Sequence, residues 1–270
     1  MTDIAALLKE RILVLDGAMG SMIQNIGLSE EDFHFDGVPC GIELKGDNEC
    51  LNLSRPDVIK RIHQSYITAG ADIIETNSFG ANRISQNGFG LADMAAEMAL
   101  RAARIAREAA DGADRRILVA GSVGPTGKSL TMASDMDNPA YREYDFDAMT
   151  EVLREQIDSL IRGGVDFILL ETCFDALTAK AAICALQQLC NPVPLVISAT
   201  VSDRSGRTLT GQTLESFYHS VCHAPTLAAF GINCARGARE MVPLVKDVTA
   251  ARKDASFSLG RVTPKLTLTP

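Results

Sequence analysis

Three acids and a cysteine stand where apolar runs of this 270-residue chain end: Asp16 in LDGAMG, Glu75 in IIETN, Glu171 in LLETC and Cys234 in FGINC. Ionised carboxylates are rarely buried unless paired or hydrogen-bonded. An acid at the tip of a very apolar strand therefore either binds a cation or accepts from loop N–H groups and caps the next helix. Both readings stand for Glu75 and Glu171. Asp16 lies beside a glycine turn. Its carboxylate can hold an ammonium while the turn's N–H groups hold a carboxylate, or it is an Asp-Gly turn capped by its own side chain. Cys234, after Asn233, is either a metal thiolate or a small core residue. Cys173, just past Glu171, is a second thiol near a strand tip. His219 and His223 of HSVCH share one helical face. They lack the acid of HExxH, so they read as surface or core residues.

These side chains sit on a repeated strand, loop and helix pattern. The apolar runs are residues 11–17, 72–77, 116–125, 165–172, 193–201 and LAAFGINC. Helical spacing follows in SRPDVIKRIHQSYITAGA, with Ser54 as its cap and Ile59, Ile62, His63 and Tyr66 on one face. It recurs in LADMAAEMALRAARIAREAADG, FDAMTEVLREQIDSLIRGG, DALTAKAAICALQQL, Leu214 to about His223, and ARGAREMVPLVKDVTAAR, distorted at Pro243. Residues 25–53 form a polar, aperiodic insertion. Strands apolar on both faces, each followed by a helix, predict a parallel sheet covered by helices. DGAMGSM is not the GxGxxG dinucleotide fingerprint. Polar residues at many strand ends favour an α/β fold of (β/α)8 TIM-barrel type. About six of its eight units are visible.

The net charge of −8 argues against nucleic acid and anionic membrane surfaces as partners. Tryptophan is absent, which argues against a base-stacking platform. No apolar run approaches the roughly 20 residues that span a bilayer, and no signal peptide is visible. Seven cysteines without a CxxC suit a reducing compartment, so a cytoplasmic protein is expected.

RILVLDGAMGSMIQ, DNECLNLSRPDVIKRIHQSYITAGADIIETNSFGAN, GSVGPTG, DFILLETCFDALTAKAA, SGRTLTGQT and FGINCARG, in this order, resemble the homocysteine S-methyltransferase family. SGRTLTGQT and DNECLNLSRP are most similar to its homocysteine-binding domain in the cobalamin-dependent, methionine synthase branch. The resemblance implies a (β/α)8 barrel with zinc at the carboxyl ends of its strands. It implies that Cys234 is the first zinc cysteine and that Asn233, the residue preceding it, is substrate-binding. Asp16, the backbone of Gly17, and Glu171 would grip the amino-acid part of homocysteine, with Glu75 lining the same pocket. A free thiol has a pKa near 8.5, and zinc would hold the homocysteine sulfur as a thiolate. Methylcobalamin would donate the methyl group, from cobalamin- and folate-binding modules on further sequence or a separate chain.

The chain departs from the family in one respect. The family takes its other two zinc ligands from a Cys-Cys pair in GGCCGT, and no cysteine follows Cys234 here. The zinc site is therefore expected to be incomplete in this chain. Residues 1–250 read as an incomplete, C-terminally truncated barrel domain, and residues 251–270 as an irregular tail consistent with an out-of-frame product. The function expected is zinc-dependent homocysteine methyl transfer, or homocysteine binding without catalysis. Open strand edges predict association.

Overall fold

The apolar runs lie side by side in chain order. The computed structural model describes residues 4–38, 41–201, 205–234 and 237–251. Two helices come first, α1 (Ile4–Glu10) and α2 (Met19–Ile26). The insertion folds into short 3-10 turns and leads to α3 (Leu51–Ser54) and α4 (Pro56–Thr68). Then follow β1 (Ile73–Glu75), α5 (Arg83–Asn87), α6 (Ala95–Asp111), β2 (Leu118–Val123) and α7 (Phe146–Arg162). The remainder is β3 (Phe167–Cys173), α8 (Ala176–Gln187), β4 (Leu195–Ala199), α9 (Leu214–Val221), β5 (Leu227–Ile232) and α10 (Ala238–Ala251).

The strands pair in parallel in the order β1-β2-β3-β4-β5. Residues 11–16 extend the sheet beyond β1 through a single Leu15–Ile73 bridge, with the Asp16 N–H donating to Ile73 O at 2.9 Å. The strand order never reverses, so the sheet has no switch point of the doubly wound kind. The architecture is α/β and of partial TIM-barrel type.

Alternation along the strands separates two apolar layers. Ile74, Val119, Ile168, Leu170 and Ile197 face outward into the core shared with the helices. Ile73, Leu118, Ala120, Phe167 and Leu169 face inward, where Ile4, Leu7 and Leu8 of α1 cover them. The inner row turns polar toward the carboxyl ends: Glu75 two residues after Ile73, Ser122 after Ala120, Glu171 after Leu169, Ser198 after Val196. Apolar pairing at one end of each strand thus carries polar side chains to the other end, on one face of the sheet.

Several local expectations are corrected. The first run makes a bridge rather than a full strand. Ser54 ends α3 and donates to Cys50 O at 3.3 Å instead of capping α4, which starts at Pro56 with no side-chain cap. Proline supplies that start because its missing N–H has no acceptor in the first turn. Helices α1, α2 and α5 were not legible in the spacing, and α9 stops before His223. Asp145 and Asp175 cap α7 and α8 by accepting from Ala148 N and Leu177 N. Residues 252–270 of the expected tail, and Cys40, lie outside the described residues. Among the described residues no helix is long and apolar enough to cross a membrane.

Candidate functional site

At the carboxyl ends of the strands opens a cavity of about 620 Å³. Asp16, Gly17, Glu75, Glu171 and Cys234, expected from separate parts of the sequence, all line it. Asn233 lies just behind, its amide touching both Glu171 and Cys234.

Each acid is held by its own strand context. Asp16 follows Leu15 into the cavity wall, 6% exposed, and its Oδ2 accepts from Glu75 N–H at 3.1 Å. Gly17 is a glycine because Tyr66 of α4 comes close: an added Cβ would meet Tyr66 Oη at 2.8 Å. Glu171 is 3% exposed. Its Oε1 accepts from Ser122 Oγ at 2.6 Å and its Oε2 from Asn233 Nδ2 at 3.3 Å. Neither bond caps a helix, and Asp175 has that task for α8.

The register of β3 against β4 shifts between Leu170 and Cys173. A bulge of this kind re-aims side chains next to sites. Thr172 at the bulge has φ 58°, and Cys234 beyond β5 has φ 52°. Cys173 then faces outward into the helix-side core, its thiol 3.5 Å from Leu170 O. Burial pushes that thiol well above the ordinary range, with the Glu171 charge adding to it. It is not a second thiolate for the cavity. His219 and Cys222 lie on and just after α9, where His219 is half exposed beside Glu215.

A second wall was not foreseen. Gly46, Asp47, Asn48 and Glu49 of the insertion line the cavity opposite the strand tips. Asn77, just past β1, pins them: its Nδ2 donates to Asn48 O at 2.7 Å and to Asn52 Oδ1 at 3.1 Å. Asn52 Nδ2 donates back to Asn77 O at 2.7 Å. Glu49 Oε1 accepts from Gly80 N–H at 2.7 Å. Desolvation, then the nearby Asp47 charge, pushes the Glu49 carboxyl up to about 7. Asp47 itself accepts from Gln86 Nε2 at 3.0 Å and from the Cys50 thiol at 2.8 Å. The only trace of this wall in the sequence is DNEC, within an aperiodic stretch.

The cavity is electrostatically one-sided. Asp16, Asp47, Glu49, Glu75 and Glu171 line it, and no Lys, Arg or His does among the described residues. The opposite pole comes from α2. Its N-cap, Ala18, makes no side-chain cap, its first turn carries no acid, and Gly17 to Ser21 line the cavity. The first N–H groups of a helix lack intrahelical partners and carry partial positive charge. Carboxylates on one side and a free helix N-terminus on the other suit a zwitterion with separate ammonium and carboxylate ends.

The zinc centre that the resemblance implies needs three thiolates. Cys234 is the one cysteine on the cavity wall among the described residues. Those residues contain no group of three His, Cys, Asp or Glu that could hold a metal ion. They do not fit a site built on three thiolates.

Comparison with known proteins gives a consistent picture. The family model for homocysteine S-methyltransferase matches residues 13–265. Among solved structures, the metallated form of the homocysteine methyltransferase MmuM from Escherichia coli is similar at 21% identity and TM-score 0.74, over 93% of this chain and 84% of that one. Its oxidised form aligns at 23% identity and TM-score 0.69, over 87% and 77% of the two chains. At these identities the structures speak for the fold, whereas the family model spans nearly the whole sequence. The chain belongs to the homocysteine S-methyltransferase family.

Proposed function

We propose that this chain binds homocysteine as a zwitterion in the strand-tip cavity and directs its thiol toward Cys234, as the homocysteine module of a methionine synthase-type methyl transfer. The observation that carries this reading is the joint placement of Asp16, Glu75, Glu171, the α2 N-terminus and Cys234 around one cavity. Glu171 takes the ammonium. Its two oxygens are already oriented by Ser122 and Asn233, so little reorganisation is needed on binding. Asp16, held by the Glu75 N–H, supplies the second carboxylate. The amides at Gly17 and the start of α2 take the ligand's carboxylate.

Transfer itself forms a bond from sulfur to the methyl carbon and breaks the bond from that carbon to its donor, while the thiol proton goes to solvent. The donor in this reading is methylcobalamin, carried by cobalamin- and folate-binding modules. In the family that the chain resembles, zinc supplies the thiolate. The described residues contribute one thiol toward such a site. What the chain's own residues do is bind and orient. The reading places the protein in the cytoplasm, in keeping with described cysteines that are all free.

A second reading, homocysteine binding without methyl transfer, is favoured by Cys234 being the one cysteine on the cavity wall among the described residues. Titration calorimetry with L-homocysteine, combined with metal analysis of the purified chain and of Cys234→Ser, separates the two. One zinc per chain, lost in Cys234→Ser, supports the methyltransferase. Homocysteine binding with no zinc supports the second reading, and no homocysteine binding removes both.

A further inference from the structure

Thr172 and Cys234 are the two non-glycine residues with positive φ among the described residues, at 58° and 52°. Left-handed backbone is a marked departure for a β-branched residue such as threonine. Such conformations persist only where the surroundings over-determine them, and they cluster at functional sites. Here one side chain, Asn233, contacts both residues. Asn233 Oδ1 accepts from Thr172 N–H at 3.0 Å and from Ser198 Oγ at 2.9 Å. Asn233 Nδ2 reaches Thr172 Oγ1 at 2.9 Å, Glu171 Oε2 at 3.3 Å and Cys234 Sγ at 3.5 Å.

The Asn233 amide is thus taken up by protein partners, on both its oxygen and its nitrogen. It is built to position other groups rather than to grip a ligand. The groups it positions are the acid at one end of the proposed ligand and the thiol at the other, both bonded to the same nitrogen. Ser122 holds Glu171 from β2, so the Asn233 rotamer sets how far the sulfur pole stands from the ammonium pole. Thr172 locks that rotamer by bonding both ends of the amide, and Ser198 steadies it from β4.

We propose that Thr172 and Asn233 form a ruler that selects a thiol amino acid by chain length, favouring L-homocysteine over L-cysteine, which is one methylene shorter. The inference rests on the reading above, in which Glu171 holds the ammonium. A pocket can discriminate one methylene by roughly 10–200-fold, but only if its two poles cannot slide together. With the ruler loosened, Cys234 can approach Glu171, which stays held by Ser122, and the shorter ligand spans them.

The test measures dissociation constants of the full chain for L-homocysteine and L-cysteine by calorimetry. Wild type should favour homocysteine by at least about 10-fold. Thr172→Val keeps the branched shape and removes the hydroxyl; it should lose most of that ratio. Thr172→Ser restores the hydroxyl and should bring the ratio back to within about threefold of wild type. A merely structural role would weaken both ligands alike, and that outcome, or an unchanged ratio in Thr172→Val, overturns the ruler. Should Thr172→Val not fold, Ser198→Ala loosens the same amide from β4 and carries the same expectation. A wild-type chain that binds neither ligand overturns the homocysteine reading, and the ruler with it. Homocysteine binding with no preference over cysteine overturns the ruler alone.

Discussion

The Ser122 hydroxyl lies 2.6 Å from Glu171 Oε1, across from β2 to β3, and leaves that carboxylate little freedom. Hydrogen bonds to a charged group contribute roughly 1.5–3 kcal/mol. Glu171→Gln should weaken homocysteine binding by about 10–100-fold, because the ammonium loses its charged partner. Ser122→Ala leaves the charge and releases its orientation, so a smaller loss of about 3–10-fold is expected. Calorimetry on both variants checks the ranking. If Ser122→Ala costs as much as Glu171→Gln, orientation and charge are not separable in the way the geometry indicates.

Glu49 is expected to make ligand binding depend on pH. Its carboxyl is pushed up to about 7, so it is protonated below that value and ionised above it. An ammonium ligand in the cavity should therefore bind more tightly as pH rises from about 6 to about 7.5, by a few-fold for a charge at this range. The thiol-free amino acid L-norleucine is the suitable probe, since homocysteine's own thiol titrates just above this window. In Glu49→Gln the rise should vanish. A rise that survives in the variant assigns the titration to another group.

Much of this site was legible in the sequence. Asp16, Glu75, Glu171 and Cys234 could be placed because buried strands declare themselves by apolar runs, and the residue that ends each run falls at one edge of a parallel sheet. The wall formed by Gly46 to Glu49 could not. Its position depends on the bonds of Asn77 to Asn48 and Asn52, which join residues far apart in a stretch without periodicity. Thr172 was hidden for the opposite reason. Threonine is a good strand former, and nothing in LLETC signals a bulge with left-handed backbone. Ser54 was misread because capping preference is local, whereas Pro56 decided where α4 begins.

His63 sets a prediction for acid stability. It sits on α4, buried, and neither ring nitrogen has a hydrogen-bond partner. Desolvation pushes its pKa down to about 4 from the usual 6.5. Between those values the unfolded chain binds a proton that the folded chain refuses, so stability falls as pH drops from about 6.5 to about 4. Near pH 4 the loss from this group is of the order of 3 kcal/mol. His63→Leu removes the titration and should flatten that part of the profile. Urea midpoints at pH 7.5 and 5 for both proteins measure the difference. Parallel profiles would show that other groups govern acid unfolding.

Two glycines at helix ends provide a test of how tightly the outer layer is built. Gly163 caps α7 with φ −77°, so its backbone places no demand on side-chain type. Space does: an added Cβ would collide with the Ala103 methyl of α6 and come within 2.9 Å of Leu100 O. Neither neighbour is a flexible side-chain end, so α6 and α7 must separate. Overpacking of this kind costs about 1–3 kcal/mol, which lowers the melting temperature by several degrees in a domain of this size. Gly112 caps α6 with a similar φ of −80°, and there an added Cβ meets its nearest atom, Glu108 O, at 3.5 Å. Gly112→Ala should be neutral, or stabilising by about 0.4–1 kcal/mol through the unfolded state. Thermal melts of the two variants side by side distinguish steric cost from conformational entropy. Equal effects from both would mean that the α6–α7 contact is looser than its distances imply.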